Sequence, residues 1–326
     1  MSWMEDKWFV GVDLGGTSVK LAFIQEEGEI LQKWEIPTDK SEQGKNILPD
    51  IAASILNKIT ELGETKERLS GIGMGAPGAV DKEQGIIYEA VNLGWPKNYP
   101  IVKILGELSG LPVDIDNDAN CAALGEMWKG AGNGAKDIAC LTLGTGVGGG
   151  IIVNGNIVQG VKGAAGEIGH ITIVPEGGAP CNCGKTGCLE TVASATGIVR
   201  IAKEEIIKYE GKSSLKELYK NKGIIEAKDV FDCMSQGDSL SKKIIDHITH
   251  HLGLVLANIG NVLNPEKIVI GGGVSKAGNL LLHPLQNYFK QFAYSAVAVS
   301  TELVIATLGN DAGILGAAWL AKNNRY

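Results

Sequence analysis

The sequence has no block rich in lysine and arginine, and its formal charge is −7 at pH 7. It therefore lacks the basic stripe on which nucleic-acid binding depends. A small anionic ligand is not excluded, since it needs only a local site. No stretch approaches the roughly 18 uninterrupted apolar residues of a membrane span. Met1 to Val10 carries charges where a secretory leader needs an apolar run, so no leader is expected. No Gly-x-x-x-x-Gly-Lys-Ser/Thr run occurs, and nothing supports a P-loop. Together these absences predict a cytoplasmic chain with neither a nucleic-acid nor a membrane partner.

What is present is ordinary globular material. The 326 residues are 44% hydrophobic and 21% charged, which favours about two domains. The 45 glycines are clustered, so they mark special backbone positions rather than low complexity.

Val10 to Asp13 reads as a strand that ends in the turn Leu14-Gly-Gly-Thr17, with a second strand over 19–24 and a third over 29–36. Ile47, Ile51, Ile55 and Ile59 recur every four residues and predict a helix over 46–62. A strand over 70–74, a helix over 99–108, a strand over 112–116 and a helix over 119–128 follow. The second half begins in the same way. A strand over 137–143 runs into Gly144-Thr-Gly-Val-Gly-Gly-Gly150, and Asn154-Gly155 sits in a hairpin. Helices near 193–208, 228–235 and 238–263, strands over 266–270 and 301–306, and a final helix over 312–322 complete the pattern. Strand, glycine turn and strand thus occur twice, each time opening a half. This weak internal repeat suggests two related α/β units facing a cleft.

A phosphate comes close to backbone only where side chains are absent and successive N–H groups can cradle its oxygens. Both glycine turns offer this, and both could equally be plain tight turns. Gly144 to Gly149 also fits the dinucleotide fingerprint Gly-x-Gly-x-x-Gly, but that fingerprint needs a following helix, and a hairpin follows here. Asp13, at the first strand's end, could cap the turn or orient Mg²⁺ through water. Asn117 and Asp118 fall between a strand and a helix. An Asp there either caps the helix or takes the proton from an attacking hydroxyl.

Of six cysteines, Cys181, Cys183 and Cys188 fall within eight residues, preceded by His170. In a reducing compartment such a cluster argues for metal rather than disulfides. Three thiolates and one imidazole form a closed tetrahedral zinc set, so the zinc would be structural. Cys121, Cys140 and Cys233 lie in apolar segments and read as core. Glu167 and Glu190 flank the cluster. On one rigid loop they could accept hydrogen bonds from sugar hydroxyls, or be ordinary charges.

These motifs together resemble the ROK family of sugar kinases and repressors. The resemblance runs along the chain through Asp13-Leu-Gly-Gly-Thr17, Gly75-Ala-Pro-Gly78, Asn92-Leu-Gly-Trp95 and Asp116-Asn-Asp-Ala-Asn120. It continues through Leu143 to Gly150, Glu167-Ile-Gly-His170, Cys181 to Glu190 and Gly271-Gly-Gly273. The cysteine motif is specific; the glycine turns alone are not. The resemblance is strongest to the family's bacterial glucokinases. It implies an actin-like, hexokinase-like (ribonuclease H-like) α/β fold of two domains with a central cleft. The expected division is 1–117 plus 310–326 as the smaller domain and 118–309 as the larger one with the zinc site.

It also implies ATP-dependent phosphorylation of glucose, or of a related hexose such as mannose, fructose or an N-acetylated amino sugar, at the 6-hydroxyl. ATP, Mg²⁺ and structural Zn²⁺ would be the cofactors, and a homodimer the assembly. Asp118 matches the catalytic base, and Asn117, Asp118, Glu167, His170 and Glu190 match sugar-contacting positions. Gly11, Asp13, Gly15, Gly16 and Thr17, with Gly144, Thr145, Gly146, Gly148, Gly149 and Gly272, match nucleotide-binding positions. His170, Cys181, Cys183 and Cys188 match the zinc ligands, with the other side of the His170 ring turned toward the sugar. The same resemblance allows a sugar-sensing repressor, but the first predicted strand begins near residue 8 and leaves no room before it for a DNA-binding helical module.

Overall fold

The computed structural model describes residues 7–323. Met1 to Asp6, on which much of the leader argument rests, and Asn324 to Tyr326, the end of the expected smaller domain, lie outside the described residues.

The first half comprises β1 (Trp8–Leu14), β2 (Ser18–Ile24), β3 (Ile30–Pro37), α1 (Ile47–Glu61) and β4 (Leu69–Ala76). A short hairpin follows, β5 (Val80–Asp81) and β6 (Ile86–Ile87), and then α2 (Ile101–Ser109), β7 (Val113–Asn117) and α3 (Asp118–Lys129). The second half opens with β8 (Ile138–Leu143), β9 (Val147–Val153) and β10 (Asn156–Ile157). Next come α4 (Glu190–Ala193), α5 (Ala195–Lys208), α6 (Ser214–Lys222), α7 (Ala227–Ser235) and α8 (Ser239–Leu263). The chain ends with β11 (Lys267–Gly271), α9 (Asn279–Phe292), α10 (Ser295–Ser300), β12 (Glu302–Ile305) and α11 (Ala312–Asn323).

The repeat read from the sequence is a shared topology. The first sheet has the order β3-β2-β1-β4-β7, and the second has β10-β9-β8-β11-β12. In each, the opening strand pairs antiparallel with the strand after its glycine turn and parallel with the next strand across. The parallel pairs place the ends of β1, β4, β7, β8 and β11 where ligand-binding loops gather.

The spacing of α1 decides how it packs. Ile47, Ile51, Ile55 and Ile59 are each at most 2% exposed and sit on the first sheet's core. Each such side chain contributes about 1.5–3 kcal/mol by leaving water. Between the sheets, α3 and α11 pack on each other. α11 also leans on β1, β4 and β7, and α3 on β8 and β9. Their approach is so close that a Cβ at Gly316 would lie 1.7 Å from the Cys121 carbonyl oxygen.

Three helices lie where the periodicity reading assigns none, the six-residue α10 among them. α9 buries Leu281, Leu285 and Phe289 at four-residue spacing, but Pro284 sits inside it and masks the pattern. α6 is short and mostly polar. It is started by Ser213, whose hydroxyl accepts the Lys216 N–H at 3.2 Å. Cys121, Cys140 and Cys233 are buried core residues, as expected. Among the described residues, no helix is long and apolar enough to cross a membrane.

Candidate active site

A cavity of 420 Å³ opens between the two halves, beside Asp13 at the end of β1 and along the second glycine turn. Of the expected site residues, it brings together Asp13, Asp118, Gly144, Gly146, Gly148, Glu190 and Gly272. Asn117, Glu167, His170, Gly11, Gly15, Gly16, Thr17, Thr145 and Gly149 are not among its lining residues. Gly11 and Gly149 have packing reasons to be glycine: a Cβ would stand 2.0 Å from the Ile314 carbonyl oxygen and 2.5 Å from that of Gly166, respectively.

Asp13 ends the inner part of β1 and reaches into the cavity. Burial is the main reason its carboxyl is raised above the ordinary value; the Lys20 ammonium, 3.6 Å from Oδ2, works against it. The turn after Asp13 is pinned by Thr38. The Thr38 hydroxyl donates to the Gly15 carbonyl at 2.7 Å, and its N–H to the Thr17 carbonyl at 3.0 Å. A Cβ at Gly16 would meet open space, so this backbone is accessible to a ligand.

The second turn is held from behind. Gly144 N–H donates to the Gly146 carbonyl at 2.9 Å, and the Gly144 carbonyl accepts from Ala195 N–H at 2.8 Å. The Thr196 hydroxyl donates to the Thr145 carbonyl at 2.7 Å. Glu190 Oε2 accepts the Val147 N–H at 3.0 Å and lies so near that a Cβ at Gly146 would come within 2.2 Å of it. Glu190 therefore ties the cysteine loop to the second glycine turn.

The β7–α3 junction separates two roles that the sequence left open. Asn117 is the helix cap: its Oδ1 accepts the N–H groups of Ala119 at 2.9 Å and Asn120 at 3.4 Å. Its Nδ2 donates to the Gly78 carbonyl at 3.0 Å. Asp118 is then the first helical residue, and its carboxylate faces the cavity with the Ala119 N–H on Oδ1 at 2.8 Å. Its side chain is open to solvent at the cleft yet crowded by protein. That crowding is the chief cause of its raised carboxyl; the Ala119 N–H opposes it, and the charges of Asp13 and Glu167 add to it.

In the cysteine loop, the ligand atoms of His170, Cys181, Cys183 and Cys188 all lie within 4.8 Å of one another. Cys181 Sγ is 3.6 Å from His170 Nδ1, and Cys183 Sγ is 3.6 Å from Cys188 Sγ. A tetrahedral zinc with ordinary bond lengths requires edges of about 3.8 Å between sulfurs and about 3.6 Å from sulfur to nitrogen. The donor set therefore fits zinc. His170 Nε2 turns the other way, 3.9 Å from Glu167 Oε2. The loop is stiffened by Lys185, whose ammonium donates to the His170 carbonyl at 2.8 Å, and by the Gly187 carbonyl, which accepts from Ile173 and Val174.

Part of the site carried no usable sequence signal. Lys20 lines the cavity but reads as an ordinary strand residue. A second cavity of 670 Å³ lies on the far side of Thr145 and Gly273, with Val199, Phe231, Val274 and Leu280 in its wall. Its apolar residues come from three helices and a turn distant in sequence, and only Gly271 to Gly273 pointed toward it.

The family profile of the ROK family matches residues 9–324. The chain belongs to the ROK family. It is 56% identical to a glucokinase of Halalkalibacterium halodurans, over 98% of this chain and 96% of that protein. Among solved structures, it resembles a ROK family glucokinase from Streptomyces griseus in complex with glucose and AMPPNP. That likeness has a TM-score of 0.76 and 33% identity, over 97% of this chain and 100% of the other. It also resembles a ROK family transcriptional regulator, a homologue of the E. coli MLC protein, with a TM-score of 0.84 and 28% identity, over 97% of this chain and 78% of the regulator. The expected actin-like, hexokinase-like α/β fold with a central cleft is the one the chain adopts.

Proposed function

We propose that Asp118 is the general base of an ATP-dependent kinase that phosphorylates glucose at its 6-hydroxyl, giving glucose 6-phosphate. The observation that carries this is the division of labour at the β7–α3 junction. Asn117 takes the helix cap, so the Asp118 carboxylate is left facing the cavity between the two halves. The 56% identity to a curated glucokinase supports glucose as the sugar.

The sugar lies against Asn117, Asp118, Glu167, His170 and Glu190, and the ATP phosphates lie between the two turns. Asp118 accepts the 6-hydroxyl proton while the oxygen bonds to the γ-phosphorus and the bond to the β-phosphate oxygen breaks. ADP leaves with the electron pair of that bond. A carboxyl raised by crowding is a better proton acceptor than an ordinary one, provided it is ionised at working pH. The rest is positioning and charge neutralisation. Backbone N–H groups at Gly16, Thr17, Thr145 and Gly146 serve the phosphates, while those of Gly15 and Gly144 close their own turns, and Lys20 adds positive charge beside them. Mg²⁺, when bound, would neutralise phosphate charge, and Asp13 would be the residue that holds it. The apolar cavity beyond Thr145 seats the adenine ring.

His170, Cys181, Cys183 and Cys188 would hold zinc, which would supply a structural crosslink. The loop so crosslinked would keep Glu167, the His170 ring and Glu190 as one wall of the sugar site. A cytoplasmic setting keeps the three thiols reduced for the metal. The family resemblance further supports a homodimer, which light scattering would test.

A coupled assay of ATP consumption over glucose, mannose, fructose and N-acetylated amino sugars tests the reading. Glucose should give the highest kcat/KM. The structural likeness to a regulator gives a second reading, a sugar sensor on DNA. Protein that shifts an operator fragment and turns over no sugar would replace the first reading with the second.

A further inference from the structure

Directly behind the Asn117–Asp118 junction lies a carboxylate that has no place in the chemistry above. Asp116 ends its side chain in the interior, 1% exposed. A carboxyl group taken out of water needs hydrogen-bond partners in the protein. Asp116 accepts three bonds: Oδ1 takes the Asn117 N–H at 2.8 Å and Asn120 Nδ2 at 2.7 Å, and Oδ2 takes Gln159 Nε2 at 2.6 Å.

The first two bonds shape the loop that presents the base. The Asn117 N–H is fixed, so the Asn117 side chain is aimed at the start of α3. Asn120, whose Oδ1 is buried without a hydrogen-bond partner, has its amide oriented through Asp116. The third bond has a different origin. Gln159 follows β10 in the second half, while Asp116 is in β7 of the first. Four residues further on, Gly163 lies against Val80, so close that a Cβ would come within 2.1 Å of the Val80 carbonyl oxygen. Segment 159–163 thus touches the first half at two points. A cavity of 580 Å³ lies beside them, and Asp81, Lys82, Glu83, Asp114 and Lys162 supply the charges around it.

We infer that Asp116 is a positioning residue for Asp118, and that Gln159 completes it from the second half, so the base is aligned only when the two halves meet at this point. Without the Gln159 donor, Oδ2 is buried and unpaired. The carboxylate must then turn toward another donor and release the Asn117 N–H or Asn120. Asp118 is the next residue along and moves with them. The inference rests on the reading of Asp118 as the base.

Three substitutions at Gln159 test it in the full-length protein. Gln159→Leu removes the donor, and kcat should fall roughly tenfold to a hundredfold, the usual effect of a small misplacement at the reacting centre. The KM for ATP should stay within about twofold, because the phosphate turns are separate from this network. Gln159→Arg keeps a donor and should restore most of kcat. Gln159→Glu places a second carboxylate against Asp116. The two keep a short bond only while they share a proton, so turnover of this variant should rise toward acid pH, where the wild type does not. Amide hydrogen exchange at residues 117–120 should quicken in Gln159→Leu and return toward normal in Gln159→Arg.

Wild-type kcat and wild-type exchange in Gln159→Leu would overturn the inference. So would an equal loss in all three variants with no pH dependence, which marks a fold defect. An Asp118→Asn variant that keeps its turnover would instead sink the base assignment; the exchange data would still decide whether Gln159 holds the loop.

Discussion

The two glycine turns occupy equivalent places in sheets of the same topology, yet their surroundings differ. The first, after β1, carries charge: Asp13 and Lys20 stand 3.6 Å apart beside it, and Gly16 faces open space. The second, after β8, brings no charged side chain of its own. It is backed instead by Glu190 from the cysteine loop and by the start of α5. One backbone plan has been used to deliver charge on one side and a braced wall on the other. What the second half has and the first lacks is the long insertion after β10, which carries Gln159, Glu167, the His–Cys cluster and Glu190. The proposed sugar wall, the candidate metal site and the bridge to Asp116 all arrive in that one insertion.

The largest expected effect falls on the junction between the turns. Asp118→Asn should lower kcat on the order of 10³-fold with glucose binding retained, measured by steady-state kinetics and calorimetry. Near-normal turnover would remove Asp118 from its role. The same change should raise the Tm at pH 7. Asp118 and Asp13 both have raised carboxyls when folded. Their favourable contribution is therefore present below the ordinary carboxyl value and is lost as pH rises through the raised one. At neutral pH the ionised, crowded carboxylate is a burden that the amide relieves.

Removing zinc by chelation, or replacing Cys188 by serine, should act on the braced side alone. Glucose KM should rise about tenfold or more and the Tm should fall, while ATP affinity falls less, through the Glu190 contact to the second turn. Metal analysis that finds no zinc in protein purified without chelator would break this contrast.

A matched pair of substitutions sharpens the comparison of the turns. Gly146→Ala forces a Cβ against Glu190 and should cost about 1–3 kcal/mol even without ligand, with sugar and nucleotide affinity lost together. Gly16→Ala meets no atom in the free protein, so its Tm should be unchanged and only ATP binding should weaken. Equal Tm losses in the two would show that the turns are braced alike.

The smallest effect concerns pH. Asp118 must be ionised to accept a proton, so the acid limb of kcat should lie above the 3.8 of an ordinary Asp. Lys20→Met should push the Asp13 carboxyl further up, because the opposing cation is gone. This would shift the acid limb of ATP binding in the same direction.

Much of this was legible in the chain. The clustering of His170, Cys181, Cys183 and Cys188 could be read because three of the four lie within eight residues, and short spacing alone brings such groups together. The α1 core face could be read because helical geometry converts a four-residue spacing into one buried stripe. The doubled strand–turn–strand unit could be read because each copy is local. α9 was missed because a proline inside a helix looks like a boundary when tolerance depends on neighbours. The apolar cavity was missed because its wall is gathered from distant segments.

The sequence by itself determined which residues could carry chemistry: the glycine turns, the carboxylates at strand ends and the His–Cys set. Only the tertiary structure decided what each of several similar residues does. Asn117, Asp118 and Asp116 are three polar neighbours in one run. Folding makes the first a cap, turns the second into the cavity and buries the third against Gln159. Direction and burial are properties of the packed chain, set by groups more than forty residues away, and no local spacing records them.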